Sequence, residues 1–179
     1  EGPGLPLLRN KVLFLKGEWG TGKTHFLCDL AEIRMDSELP TLLVLAETLP
    51  DDDPPLEGIC QLIESVSSPE QLLSGLQSLG EEVGERALLL IDGINEADRE
   101  LWRNELVSVV EKVEDYSHVG LALSCRTPFD EQIVTSKAEN HLVQVEHRGF
   151  EENEFDAQIE FFDYYDVPAP HVPLLTPEF

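Results

Sequence analysis

Five short, continuous apolar runs punctuate the chain, at residues 12–15, 41–46, 87–91, 119–124 and 141–145, and stretches with helical spacing of apolar side chains separate them. Runs of this length, bounded by turn residues, predict strands covered on both faces, and their alternation with helices predicts a mostly parallel five-stranded sheet flanked by helices on both sides, an α/β fold. The helices can be read in the same way. Ser68 before Pro69 predicts a capped start, after which Leu72, Leu73, Leu76 and Leu79 form an inward stripe. Trp102, Leu106, Val109, Val110 and Val113 form a second stripe, and Phe155, Ile159 and Phe162 a third. All of these positions read as core. Residues 50–55, PDDDPP, read as a solvated connection.

Between the first strand and the first helix lies GEWGTGKT, residues 17–24. It satisfies the pattern G-x-x-x-x-G-K-[ST] in the strand–loop–helix context that gives the pattern meaning. A loop that wraps a polyphosphate needs inward backbone N–H groups with no Cβ in the way, which assigns Gly17, Gly20 and Gly22. Lys23 is placed to reach β- and γ-phosphates, the Thr24 hydroxyl to ligate Mg²⁺, and Thr21 and His25 complete the expected nucleotide-binding set. The helix that begins near Lys23 adds free amides and a positive dipole end.

The third run, in ALLLIDGINEAD at 87–98, ends in Asp92. A carboxylate at the carboxyl end of a buried strand next to the phosphate loop suits a metal-binding acid. Four residues later, Glu96 is a candidate general base or water-orienting group. The fourth run, VGLALSCR, closes on Arg126, one strand over from the acid, where a guanidinium can report a γ-phosphate. Lys23, Asp92, Glu96 and Arg126 therefore form the expected catalytic set, with Thr24 and Asp92 as metal ligands.

Charge and composition narrow the classes. With 36 Asp and Glu against 12 Lys and Arg, the formal net charge is −24, a field that repels nucleic acid and anionic lipid. An anion held in that field argues for Mg²⁺ dependence. No N-K-x-D guanine reader is present, since the one Asn-Lys pair, Asn10-Lys11, precedes the loop; seven scattered arginines do not make the lid of a small-metabolite kinase. The five histidines show no metal-ligand spacing. Cys28, Cys60 and Cys125 have no C-x-x-C spacing and sit in apolar stretches, so all three are expected to be buried free thiols in a reducing compartment. No run approaches a membrane span and no signal pattern opens the chain, which together predict a cytoplasmic protein without membrane contact. Residues 1–179 read as a single P-loop NTPase core within a larger multidomain protein, the prolines at 168, 170, 173 and 177 marking residues 166–179 as the start of a following element.

Taken together, GEWGTGKTHFL, LLLIDGINEAD, LALSCRTPF and residues 145–179, with their G-F-x-x-x-E stretch and P-L-L-x-P-E-F end, resemble the ATPase module of the STAND superfamily, specifically the NACHT-like NTPases of bacterial antiviral defence proteins, the AVAST group. The resemblance implies ATP and Mg²⁺ as ligands. It further implies a homo-oligomer in the full-length protein, assembled in an ATP-dependent manner when a viral protein acts through domains outside this segment. It departs from that family at Asn95-Glu96, where many members carry consecutive acids. Hydrolysis would then rest on Glu96, which leaves open a nucleotide-gated interaction switch with little turnover, or another AAA+-like ATPase.

Overall fold

The computed structural model describes residues 11–149. The calls made above on the stripe at Phe155, Ile159 and Phe162, on residues 166–179 and on everything after Gly149 in the resemblance lie outside the described residues. Within them, the elements run β1 (Val12–Gly17), α1 (Lys23–Asp36), β2 (Thr41–Leu45), a 3-10 turn (Ala46–Thr48), α2 (Pro55–Gln61), α3 (Pro69–Val83), β3 (Ala87–Asp92), α4 (Arg99–Glu114), β4 (Val119–Arg126), α5 (Asp130–Ile133), α6 (Ser136–Glu139) and β5 (Val143–Glu146).

The sheet has five strands in the order β2-β3-β4-β1-β5, and every pairing is parallel. Each predicted strand is present. The fifth starts later than its apolar run, because His141 sits in the turn after α6 and its backbone N–H donates to Ala138. The second ends at Leu45, where Ala46 opens the 3-10 turn. The third strand does not lie next to β1: β4 intervenes, with Gly17 in register with Arg126. Seven of the eight residues of β4 are buried, as suits the central strand of the five.

Alternate strand residues face two separate cores. Leu13, Leu88, Leu90 and Ala122 pack with Leu27 of α1 on one face, while Phe14, Leu89, Ile91, Leu121 and Leu123 join α2, α3 and α4 on the other. Helices therefore cover both sides. The stripe of α4 is buried throughout, as its spacing predicts. In α3, Leu72, Leu73 and Leu76 are buried but Leu79 is 48% exposed, a correction to the expected stripe: the packed line continues from Leu76 to Gly80, four residues on, where a Cβ would meet the His118 carbonyl, and Leu79 falls at its margin. Ser68 caps α3 by accepting from Gln71 N–H, and Gly84 ends it at φ +73°. Residues 50–54 form the predicted connection, and Pro55 starts α2.

The thiols require a second correction. Cys60 and Cys125 are buried, whereas Cys28 is exposed. The sheet-facing surface of α1 is narrow, with Leu27 its one buried residue, so the next position points away from it.

Candidate nucleotide site

The carboxyl ends of β1, β3 and β4 bring one residue each to the same edge of the sheet: Gly17, Asp92 and Arg126. Above them is an open cleft of about 310 Å³, lined by Trp19, Gly20, Gly22, Lys23, Thr24 and His25 from the loop and by Asp92, Gly93, Asn95, Glu96, Ser124 and Arg126 from the strand ends. Of the residues expected at the site, Gly20, Gly22, Lys23, Thr24, His25, Asp92, Glu96 and Arg126 line this cleft. Gly17 and Thr21 stand behind the loop.

Gly20 and Gly22 adopt φ of +77° and +88°, the left-handed conformation that the curl requires. Gly17 serves differently. It is in strand conformation, and a Cβ there would collide with the carbonyl oxygen of His147. Thr21 donates its hydroxyl to Glu18 O at 3.0 Å and packs on Gly149. Residues 147–149 thus back the loop from the β5 side, with His147 N–H donating to Lys16 O at 2.6 Å and its ring 5.8 Å from that of Phe26.

Helix α1 begins at Lys23 with no side-chain cap and no acid in its first turn, unlike α3, α4 and α6, which Ser68, Asp98 and Thr135 cap. Its first amides are left to whatever occupies the cleft. Lys23 Nζ meanwhile donates to Gly17 O at 2.9 Å and Glu18 O at 2.7 Å. Burial holds the Lys23 pKa below its usual value, and the neighbouring Arg126 guanidinium adds to this, partly opposed by Asp92 and Glu96. Two cations converge on one cleft. Burial, and then Lys23, likewise lower the pKa of His147.

Asp92 is the hub. Thr24 donates its hydroxyl to Asp92 Oδ2 at 2.7 Å, tying the loop to β3 across the intervening strand. Asp92 Oδ1 accepts from the buried Ser124 hydroxyl, which in turn accepts from Gly93 N–H at 2.8 Å. Asn95 accepts the Arg126 backbone N–H at 2.7 Å, so it anchors the strand end. The Arg126 guanidinium reaches Glu96, Nη2 to Oε1, at 3.5 Å. Cys125, between Ser124 and Arg126, faces the core, and burial followed by Asp130 pushes its thiol up to about 12.

Sequence reasoning missed Ser124, the anchoring role of Asn95, and the backing by His147 and Gly149. A polar residue inside the apolar run LALSC was the one signal for Ser124; its spacing of two from Arg126 puts both on one face of the strand. Nothing local marked the others.

No protein-family model and no curated protein matches the sequence. Solved structures do match the fold. A DNA replication initiation factor superposes with a TM-score of 0.59 at 16% identity, covering 93% of this chain and 50% of that one. AMPPCP-bound DnaA from Aquifex aeolicus gives 0.55 at 16%, covering 96% and 55%. Cdc6p from Pyrobaculum aerophilum gives 0.55 at 15%, covering 90% and 46%. The fold is that of a P-loop NTPase. At these identities the likeness is one of fold, and the chain spans about half the length of those P-loop structures. Among the described residues no helix is long and apolar enough to cross a membrane.

Proposed function

We propose that this segment binds ATP with Mg²⁺ and hydrolyses it, as the nucleotide-dependent module of a larger signalling protein. The observation that carries the reading is the convergence of Lys23, Thr24, Asp92, Glu96 and Arg126 on one cleft above the strand ends. The AMPPCP held by the DnaA structure is consistent with an adenine nucleotide in such a cleft. In this reading the loop amides and Lys23 hold the phosphates, Arg126 contacts the γ-phosphate, and Glu96 orients the attacking water.

Thr24 Oγ1 and Asp92 Oδ2, 2.7 Å apart, suit a Mg²⁺ ion, which takes hard oxygen donors, keeps several waters and completes its shell with substrate phosphate. When bound, the ion neutralises phosphate charge. The residues themselves do the rest: Ser124 fixes the orientation of Asp92, and Asn95 fixes the strand end that carries Arg126.

The resemblance to NACHT-like STAND proteins supports a finer reading. The module would drive homo-oligomerisation of an antiviral defence sensor in the cytoplasm, with a viral protein as trigger. A switch with little turnover is the second reading. It is favoured by the engagement of Glu96 with Arg126 and by Asn95 being occupied with a backbone amide.

Calorimetry with AMPPCP and Mg²⁺ tests binding. Lys23→Ala should lower affinity by about tenfold to a hundredfold, the worth of a charge-assisted contact of roughly 1.5–3 kcal/mol, with an unchanged circular-dichroism spectrum. Unchanged affinity sinks the assignment. Single-turnover hydrolysis by the wild type and by Glu96→Gln then separates the readings: a wild-type rate above the uncatalysed level that Glu96→Gln slows supports the ATPase, and a rate at the uncatalysed level in both proteins supports the switch.

A further inference from the structure

Glu96 and Arg126 are held in their relation by contacts on both sides. Glu96 Oε1 is 3.5 Å from Arg126 Nη2, and its other oxygen lies over Gly93, at 3.0 Å from where a Cβ would stand. Gly93 is at φ +70°, a conformation that favours glycine. Asn95 pins the Arg126 backbone from the same loop. The residue expected to act on water and the residue expected to read the γ-phosphate are therefore each other's partners.

We propose that Glu96 and a γ-phosphate compete for the Arg126 guanidinium, so that a triphosphate, and not a diphosphate, releases Glu96 into the cleft. This rests on the nucleotide-binding reading above and deepens it. The pair is weak: the two side chains are 34% and 46% exposed, and ion pairs of that exposure contribute little. A terminal phosphate carries more charge than a carboxylate and can take the guanidinium through two oxygens, where Glu96 offers one at 3.5 Å, so it is the stronger partner. Exchange therefore runs toward phosphate. Lys23 assists, because it lines the same cleft as Arg126 and an arriving anion relieves the repulsion between the two cations.

The result couples arming of the water-orienting group to the presence of the bond to be broken. With a diphosphate there is nothing beyond the β-phosphate to draw Arg126 away, and Glu96 stays paired. No bond is made or broken in this step; one ion pair replaces another.

The test is a double-mutant cycle on the full chain, reading affinity for AMPPCP and for ADP, each with Mg²⁺, by calorimetry. Glu96→Gln removes the competitor. It should tighten AMPPCP by about two- to fivefold beyond any change in ADP affinity, the range set by an exposed pair. In an Arg126→Ala background that excess should vanish. An equal gain for both nucleotides, no gain, or an excess that survives in Arg126→Ala overturns the exchange. The last three results leave the binding reading standing if wild-type affinity is lost in Lys23→Ala; absence of AMPPCP binding by the wild type overturns both.

Discussion

At the scale of single residues, the site is organised by how its acceptors are used up. Both oxygens of Asp92 are engaged, one by Thr24 and one by Ser124, so the protein itself sets the orientation of its carboxylate. The thiols show the same dependence on position. Cys125 is shut in, with its pKa pushed up to about 12 by burial and Asp130, and Cys60 is buried with its pKa raised by burial and Glu57. Cys28, one turn past Thr24, is exposed; slight burial, then Asp92 and Asp29, also raise its pKa. The thiolate is the reactive form, so access decides which thiol reacts and the raised pKa slows the one that does. In the native protein a disulfide reagent should modify Cys28 alone, more slowly than a free cysteine and faster as pH rises. Mass mapping before and after denaturation checks this, and native modification of Cys60 or Cys125 would contradict the burial.

At the scale of elements, β1 and the segment after β5 meet closely enough to exclude a side chain. Gly17 lies under the His147 carbonyl, and His147 N–H bonds to Lys16 O. Gly17→Ala should force that backbone apart and destabilise the fold by roughly 1–3 kcal/mol, the usual cost of overpacking, measurable as a lower urea midpoint. An unchanged midpoint would show that residues 147–149 yield freely. This junction also marks the limit of what the sequence discloses. The strands were legible because apolar runs bounded by turn residues have few other uses, and Lys23, Thr24, Asp92 and Arg126 were legible because each closes or follows such a run. The placement of β4 between β1 and β3 was not, since β1, β3 and β4 are all apolar runs and nothing in such a run says which of them pair. The short helices α2, α5 and α6, of seven, four and four residues, are each under two full turns and too brief to show a period. Ser124 and Asn95 escaped because their roles are bonds to groups 31 residues away in sequence.

At the scale of the whole molecule, the dominant feature is charge. The net −24 comes from acids that outnumber bases three to one, and among the described residues pairs such as Lys137 with Glu111 and Arg148 with Glu146 are at the surface. Two effects of salt then oppose each other. Screening weakens these exposed pairs, each worth about 0–1 kcal/mol, and it weakens the repulsion among the many acids left over. Because the 36 acids exceed the 12 Lys and Arg available to pair with them, relief of repulsion wins, and the compact state gains relative to the expanded one. Raising sodium chloride from about 20 mM to 500 mM, where the screening length falls to a few ångströms, should raise the melting temperature by several degrees. Chloride is the right probe, since sulfate or phosphate would also occupy a phosphate-binding loop and stabilise the fold by binding. A melting temperature that falls with sodium chloride would mean that the surface pairs, and not the surplus acids, govern the electrostatics of this fold.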